Sequence, residues 1–119
     1  MQYVDGFVIP VPEKNLADYK KMAKLGCKVW IEHGALEYRE CVAEDAPVGK
    51  VTSFPRSVKL KPGETVIFAW IVYKSRAHRD RVNAKVMSDP RMQKFMDTVG
   101  MPFDGKRMIY GGFDTIVKA

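Results

Sequence analysis

The stretch Val66–Asn83, VIFAWIVYKSRAHRDRVN, holds the side chains of this chain best suited to chemistry. An apolar run ends at Tyr73, and Lys74, Arg76, His78, Arg79 and Arg81 follow with Asp80 as their single acid. His78 carries the side chain that titrates near neutral pH, and Arg79 the group that best grips carboxylate or phosphate. Together with the free amides of a first helical turn they would favour an anion. Trp70, on the run before them, and Trp30, far upstream, are candidate apolar walls. The reading is a small-ligand site with His78 and Arg79 at its polar end and Trp70 and Trp30 beside it. The plainer alternative is that His78 only bonds a carboxylate such as Asp5 or Glu40.

On a helical wheel Ser75, His78, Arg79, Val82 and Val86 share one face, while Arg76 falls to one side and Arg81 and Lys85 to the other. An RNA-binding helix gathers its cations into one stripe, so this dispersal argues against nucleic acid as a specific partner. Arg76 and Arg81 are left as solvated surface charges.

The remaining reactive types suggest less. Cys27 falls on a helical apolar stripe, and Cys41 shares a strand phase with Arg39 but has no base beside it. His33 stands before Gly34 at a helix end, where a cation suits the dipole. Asp5, Glu40 and Arg107 are charges inside apolar strands, so they form either an ion network or the lining of a polar cleft. Tyr38, Tyr73 and Tyr110 could set hydroxyls at a cleft mouth. No phosphate loop, dinucleotide fingerprint, zinc helix or nucleophile elbow occurs. No catalytic residue, metal or cofactor is assigned.

These side chains need elements to position them. The chain has 119 residues, 46% of them hydrophobic, which suits one domain over 1–119 with a single core. Its net charge of +6 is moderate. Two cysteines make no disulfide framework, the start lacks a leader pattern, and no apolar run is long enough to span a bilayer. The expectation is a cytoplasmic protein without a membrane partner.

Residues 3–11 read as a strand rich in β-branched and aromatic side chains. A helical pattern runs over 13–33, with Leu16, Tyr19, Ala23, Cys27 and Trp30 in one stripe and Gly34 as its stop. Gly26 weakens that helix unless close packing on the sheet makes it useful. Residues 35–45 alternate as a strand. Residues 46–63 are a long excursion, functional or interfacial, with a short edge strand at 58–61. Residues 64–73 are apolar in both phases, as in a strand covered on both faces. Ser75 caps a helix over 76–88, and a helical turn follows at 91–97. The last strand covers 106–117, where Gly111-Gly112 implies a bulge or a close backbone approach.

The order is β-α-β-β-α-β, which predicts an α+β, ferredoxin-like βαββαβ domain: a four-stranded antiparallel sheet with two helices on one face. The third strand then needs a cover for its other face. A second copy supplies it most simply, giving a homodimer.

The runs YVDGFVIPVP (3–12), HGALEYRECVAED (33–45), GKVTSFPRSVKLK (49–61), WIVYKSRAHRDRVNAKVMSDPRM (70–92) and MPFDGKRMIYGGF (101–113) resemble the YbaA-like family of small bacterial proteins of unknown function. The resemblance covers nearly the whole chain. It implies a dimeric α+β barrel, in which two sheets pack face to face, and no established activity. Some members carry names tied to the RNA of the signal recognition particle, which leaves an RNA-associated role as a second alternative. In related α+β barrel monooxygenases a tryptophan on the third strand and a histidine on the next helix line the cavity, and some hold haem through that histidine. Trp70 and His78 are similarly spaced, but Asp5 replaces the asparagine of the first strand. The leading expectation is a homodimer binding a small, anionic molecule between sheet and helices. A monooxygenase-like or haem-linked enzyme is the alternative.

Overall fold

The computed structural model describes residues 1–119. Strand β1 (Tyr3–Pro12) passes through a 3-10 turn at Glu13–Asn15 into helix α1 (Leu16–Glu32). Strand β2 (Glu37–Val42), the one-turn helix α2 (Phe54–Ser57) and strand β3 (Glu64–Tyr73) follow. Helices α3 (Arg76–Met87) and α4 (Pro90–Thr98) precede strand β4 (Ile109–Asp114). The strands form one sheet in the order β2-β3-β1-β4, and every neighbouring pair is antiparallel.

Strand alternation sorts the side chains onto two faces. Tyr3, Phe7, Ile9 and Val11 of β1, with Ile67, Ala69, Ile71 and Tyr73 of β3, turn toward the helices. There they meet Tyr19 and Val29 of α1 and Val82 and Val86 of α3. Val29, Tyr73 and Val86 lose all their solvent contact, and each such burial contributes about 1.5–3 kcal/mol. On the opposite face Val8 and Val66 pack under Val58, which follows α2. The rest of that face is open: Phe68 is 42% exposed and Phe113 63%. Phe54 of α2 stands edge-on to Phe68 with centroids 5.6 Å apart, so the long excursion covers one end of the outer sheet face.

Local chemistry sets the helix ends. The Ser75 hydroxyl accepts from the His78 amide at 3.1 Å, and Asp89 accepts from the Arg91 amide at 3.0 Å. Both are N-caps of the favoured type. Gly34 ends α1 with φ +117, which a Cβ would strain. At that end His33 Nε2 lies 2.9 Å from Asp89, while Arg91 reaches both Asp89 and Glu32 at 2.7 Å. The exit of α1 is thereby tied to the joint between α3 and α4.

Several expected bounds change, each for a visible reason. There is no edge strand at 58–61, because Val58 closes α2 and Lys59 turns left-handed at φ 50. The excursion holds one further helix, since Pro55 starts a turn behind a capping Ser53, and the helical turn expected at 91–97 becomes α4, with Pro90 in its first turn behind Asp89. The last strand is shorter than 106–117. Its partner β1 begins at Tyr3, opposite Asp114, and upstream Arg107 is held away by Glu64 and Asp104. Gly111-Gly112 forms no bulge, as the register runs through both residues. It permits close approach instead: a Cβ on Gly112 would overlap the Tyr3 ring, and the Phe113 ring lies 3.7 Å from where Gly111 and Gly6 would carry theirs. An aromatic ring covering strand glycines in this way supplies the packing that they lack.

The ion pairs set the acid response. Hydrogen bonds from Arg91 and His33 hold Asp89 well below the usual carboxylate range, and Arg91 lowers Glu32. Arg107 does the same for Glu64 and Asp104. A carboxylate with a lowered folded-state pKa contributes stability that is present above its unfolded value, about pH 4, and is lost as pH falls through the folded one. Asp5 is raised, chiefly by burial and against Arg79, so its own effect runs the other way and favours the fold at low pH. Four groups outweigh one, and the melting temperature should fall as pH drops below about 4. Asp5→Asn, which removes the opposing effect, should steepen that fall. Thermal melts from pH 6 to pH 2.5 test this, and a flat profile would contradict it.

Candidate functional site: a methionine-lined cleft

Between the helix-side face of the sheet and helices α1, α3 and α4 lies a cleft of about 440 Å³, lined by 22 residues of which 16 are hydrophobic. Ligand pockets commonly begin near about 300 Å³. Every methionine of the chain except Met1 reaches this cleft. Met22 comes from α1, Met87 from α3, Met92 and Met96 from α4, and Met101 and Met108 from the segment leading to β4. Helix α4 has no buried residue and covers the cleft with one face. Thioether chains are flexible and polarizable, so such a wall adapts to the shape it encloses.

Two polar clusters interrupt the apolar lining. Asp5, 6% exposed, accepts from the Arg79 guanidinium at 2.6 Å. Arg79 also donates to Asp80 at 2.8 Å and lies over the Tyr3 ring at 5.0 Å. Beside this pair the Asn83 carbonyl accepts from Trp30 Nε1 at 3.1 Å and from the Tyr73 hydroxyl at 3.2 Å. The second cluster is centred on Glu40. One of its oxygens accepts from the Tyr19 hydroxyl and the other from the Tyr38 hydroxyl at 2.5 Å. Burial first, then the neighbouring Glu40, push both tyrosines well above their usual range, so they stay neutral donors. Gly26 makes this possible: a Cβ there would stand 2.7 Å from the Tyr38 hydroxyl. The same partition of Tyr19, Tyr38 and Glu40 also lines a second cavity of about 330 Å³ between α1 and β2, with Cys27, Lys20 and Lys24.

The four site residues expected from the sequence do not share one place. Arg79 and Trp30 line the cleft. Trp70 falls on the opposite face of β3, 5.6 Å from the Phe68 ring and under the Arg39 guanidinium at 5.7 Å. Strand parity separates it from Ala69, Ile71 and Tyr73. His78 lies outside the cleft lining, beside Gly34 and edge-on to Tyr73. Its Nδ1 accepts from the Lys74 amide at 2.9 Å, so the histidine closes the turn into α3 rather than bonding Asp5 or Glu40. Burial and the cations Lys74, Arg81 and Lys85 lower its pKa, which favours that neutral acceptor form. The cleft stripe of α3 is Arg79, Asn83 and Met87, at steps of four. Spacing alone would have found Asn83.

The three strand charges also separate. Asp5 and Glu40 face the cleft, whereas Arg107 forms a two-pronged pair with Glu64 at 2.6 and 2.7 Å and a further bond to Asp104 at 3.0 Å. Tyr38, Tyr73 and Tyr110 all line the cleft, with Tyr110 the most exposed of them. No helix is long and apolar enough to cross a membrane.

Residues 2–105 match the family described as "Protein of unknown function (DUF1428)". The chain is 51% identical over 117 residues to the uncharacterized protein YbaA of Escherichia coli (strain K12), covering 98% of both chains. The same figures hold for YbaA of Shigella flexneri. Among solved structures, the de novo designed protein Foldit4 superposes with a TM-score of 0.51 at 9% identity, over 97% of this chain and 99% of that one, a likeness of fold alone.

Proposed function

The chain belongs to the DUF1428 family, and from that premise we propose that it is a cytoplasmic homodimer that binds a small, mainly apolar molecule in the cleft between sheet and helices. The observation that carries the reading is the convergence of Met22, Met87, Met92, Met96, Met101 and Met108 on one cavity of about 440 Å³. A cavity of that size in a small domain forfeits packing energy that a plain core would keep. An occupant restores it.

The strand order β2-β3-β1-β4, antiparallel throughout, supports a ferredoxin-like topology. The open outer face supports the dimeric barrel. Phe68 and Phe113 stand exposed there, with Trp70 and Val4 half-buried beside them, on a surface that a monomer would leave partly wet. A second copy offers the same face about a two-fold axis, and covering both sheets buries on the order of 2,000 Å².

An anion is not the ligand that this lining favours, because Arg79 is already matched by Asp5 and Asp80. A monooxygenase-like or haem-linked role draws no support from placement, since Trp70 and His78 lie outside the cleft. For RNA, the cations of α3 point in several directions and Arg79 is engaged inside.

Native mass spectrometry of protein purified without denaturant tests both parts of the proposal. The expected species is a dimer that keeps, or takes up from a hydrophobic probe such as butylbenzene, one small molecule per chain. A monomer would overturn the assembly, and failure of any apolar probe to bind would overturn the cleft.

A further inference from the structure

Glu40 is an odd carboxylate. Asp5, Glu32, Glu37, Glu64, Asp80, Asp89 and Asp104 each pair with an arginine. The acids without a cation are Glu13, Asp18, Glu44, Asp45, Asp97 and Asp114, all exposed, and Glu40, which is half-buried. A carboxylate withdrawn from water ordinarily takes a cation as well as hydrogen bonds. Glu40 has the hydrogen bonds, one tyrosine on each oxygen, and no cation within ion-pair reach. Lys20 and Lys24 line the second cavity behind it, and neither makes the pair.

The donors of the cleft point the same way. Tyr19 and Tyr38 donate to Glu40, Tyr73 and Trp30 donate to Asn83, and Arg79 donates to Asp5 and Asp80. Each of these groups already donates to an acceptor of the protein itself. A carboxylate has about four lone-pair positions, and the tyrosines fill one on each oxygen of Glu40. Glu40 therefore keeps acceptor capacity that no cation of the protein takes up. Next to it stands the Tyr38 ring, 6.0 Å from that of Trp30 between centroids. Aromatic faces beside a carboxylate suit a cation.

We propose that the cleft binds an amine: a molecule with an apolar body among the methionines and a protonated amino head on Glu40. The inference rests on the proposed binding role of the cleft and specifies the class of its ligand. The tyrosine hydroxyls hold the carboxylate in place, so the head meets a fixed acceptor and little reorganisation is needed. A carboxylate or phosphate head would meet a like charge at Glu40.

Four probes of matched shape separate this inference from the reading below it: 4-phenylbutylamine, 4-phenylbutanol, 4-phenylbutyrate and butylbenzene, titrated by calorimetry and by NMR of the methionine methyl groups. The amine should bind about tenfold or more tighter than the alcohol, with the acid weakest, as a charge-assisted bond requires. Glu40→Gln keeps an acceptor for one tyrosine, and it should bind the amine no tighter than the alcohol. Equal binding of amine and acid by the wild-type protein would overturn the inference and spare the cleft, a result that needs no variant to fold. An amine preference that survives in Glu40→Gln would overturn it too. If none of the four shifts the methionine methyls, the cleft reading falls and this inference with it.

Discussion

Trp70→Glu should convert the proposed dimer of about 27 kDa, twice the chain mass of 13.5 kDa, into a folded monomer at micromolar concentration. Trp70 lies on the outer face of β3, between Phe68 and the guanidinium of Arg39. In the proposed dimer that face meets its own copy, so two glutamates enter one dry interface. An unpaired charge buried in this way costs several kcal/mol, and about 3 kcal/mol already weakens association more than a hundredfold. The monomer keeps its fold because Trp70 takes no part in the helix-side core, which is built from Ile67, Ala69, Ile71 and Tyr73. Sedimentation velocity reads the mass and far-ultraviolet circular dichroism the fold. A wild-type protein that sediments as a monomer, or a variant that stays dimeric, would refute the face-to-face assembly.

The second large effect is expected at Asp5. Its carboxylate is 6% exposed and holds Arg79, whose side chain is 19% exposed. Asp5→Ala leaves that guanidinium inside the cleft wall with Asp80 as its one remaining carboxylate. Breaking a buried pair from one side costs about 3–5 kcal/mol, and exposure of Arg79 to the cleft places this case near the lower figure. In a domain of this size that lowers the melting temperature by roughly 10 °C. Removing both charges together, as Asp5→Leu with Arg79→Met, should recover most of the loss, because a pair replaced by apolar groups of similar volume is often neutral. Urea unfolding of Asp5→Leu, Arg79→Met and the double variant measures the coupling. A loss under about 0.5 kcal/mol for Asp5→Ala would place the pair at the solvated surface instead.

Much of the frame was legible in the residues, and most of the site was not. β3 carries apolar side chains in both phases and occupies the expected span, and Ser75 caps α3 as its hydroxyl allows. Those features are local, and local chemistry decides them. The same two-phase apolarity hid the orientation of β3, so nothing in the strand itself put Trp70 outside and Ile71 inside. On α3 the wheel placed His78 and Arg79 together, yet the cleft looks along Arg79, Asn83 and Met87, one position round from the histidine. The Glu40 cluster joins Tyr19 of α1 to Glu40 of β2, a partnership that no spacing along the chain encodes. The methionines converge from three helices and from the segment before β4, and only the tertiary arrangement brings them to one cavity.

The two ends of the chain are neighbours in the sheet. Tyr3 stands opposite Asp114, and the Thr115 amide donates to the Gln2 carbonyl at 3.0 Å. β1 and β4 are thus already an antiparallel pair that lacks only its hairpin. A short linker from Ala119 to Met1 closes the chain into a ring, and the ring can be reopened in the exposed stretch Glu44–Lys50 without altering any strand's neighbours. Proximity of the ends is what makes such circular permutation tolerable. The architecture is therefore cyclic in its connections, and a chain opened at another loop would give the same sheet.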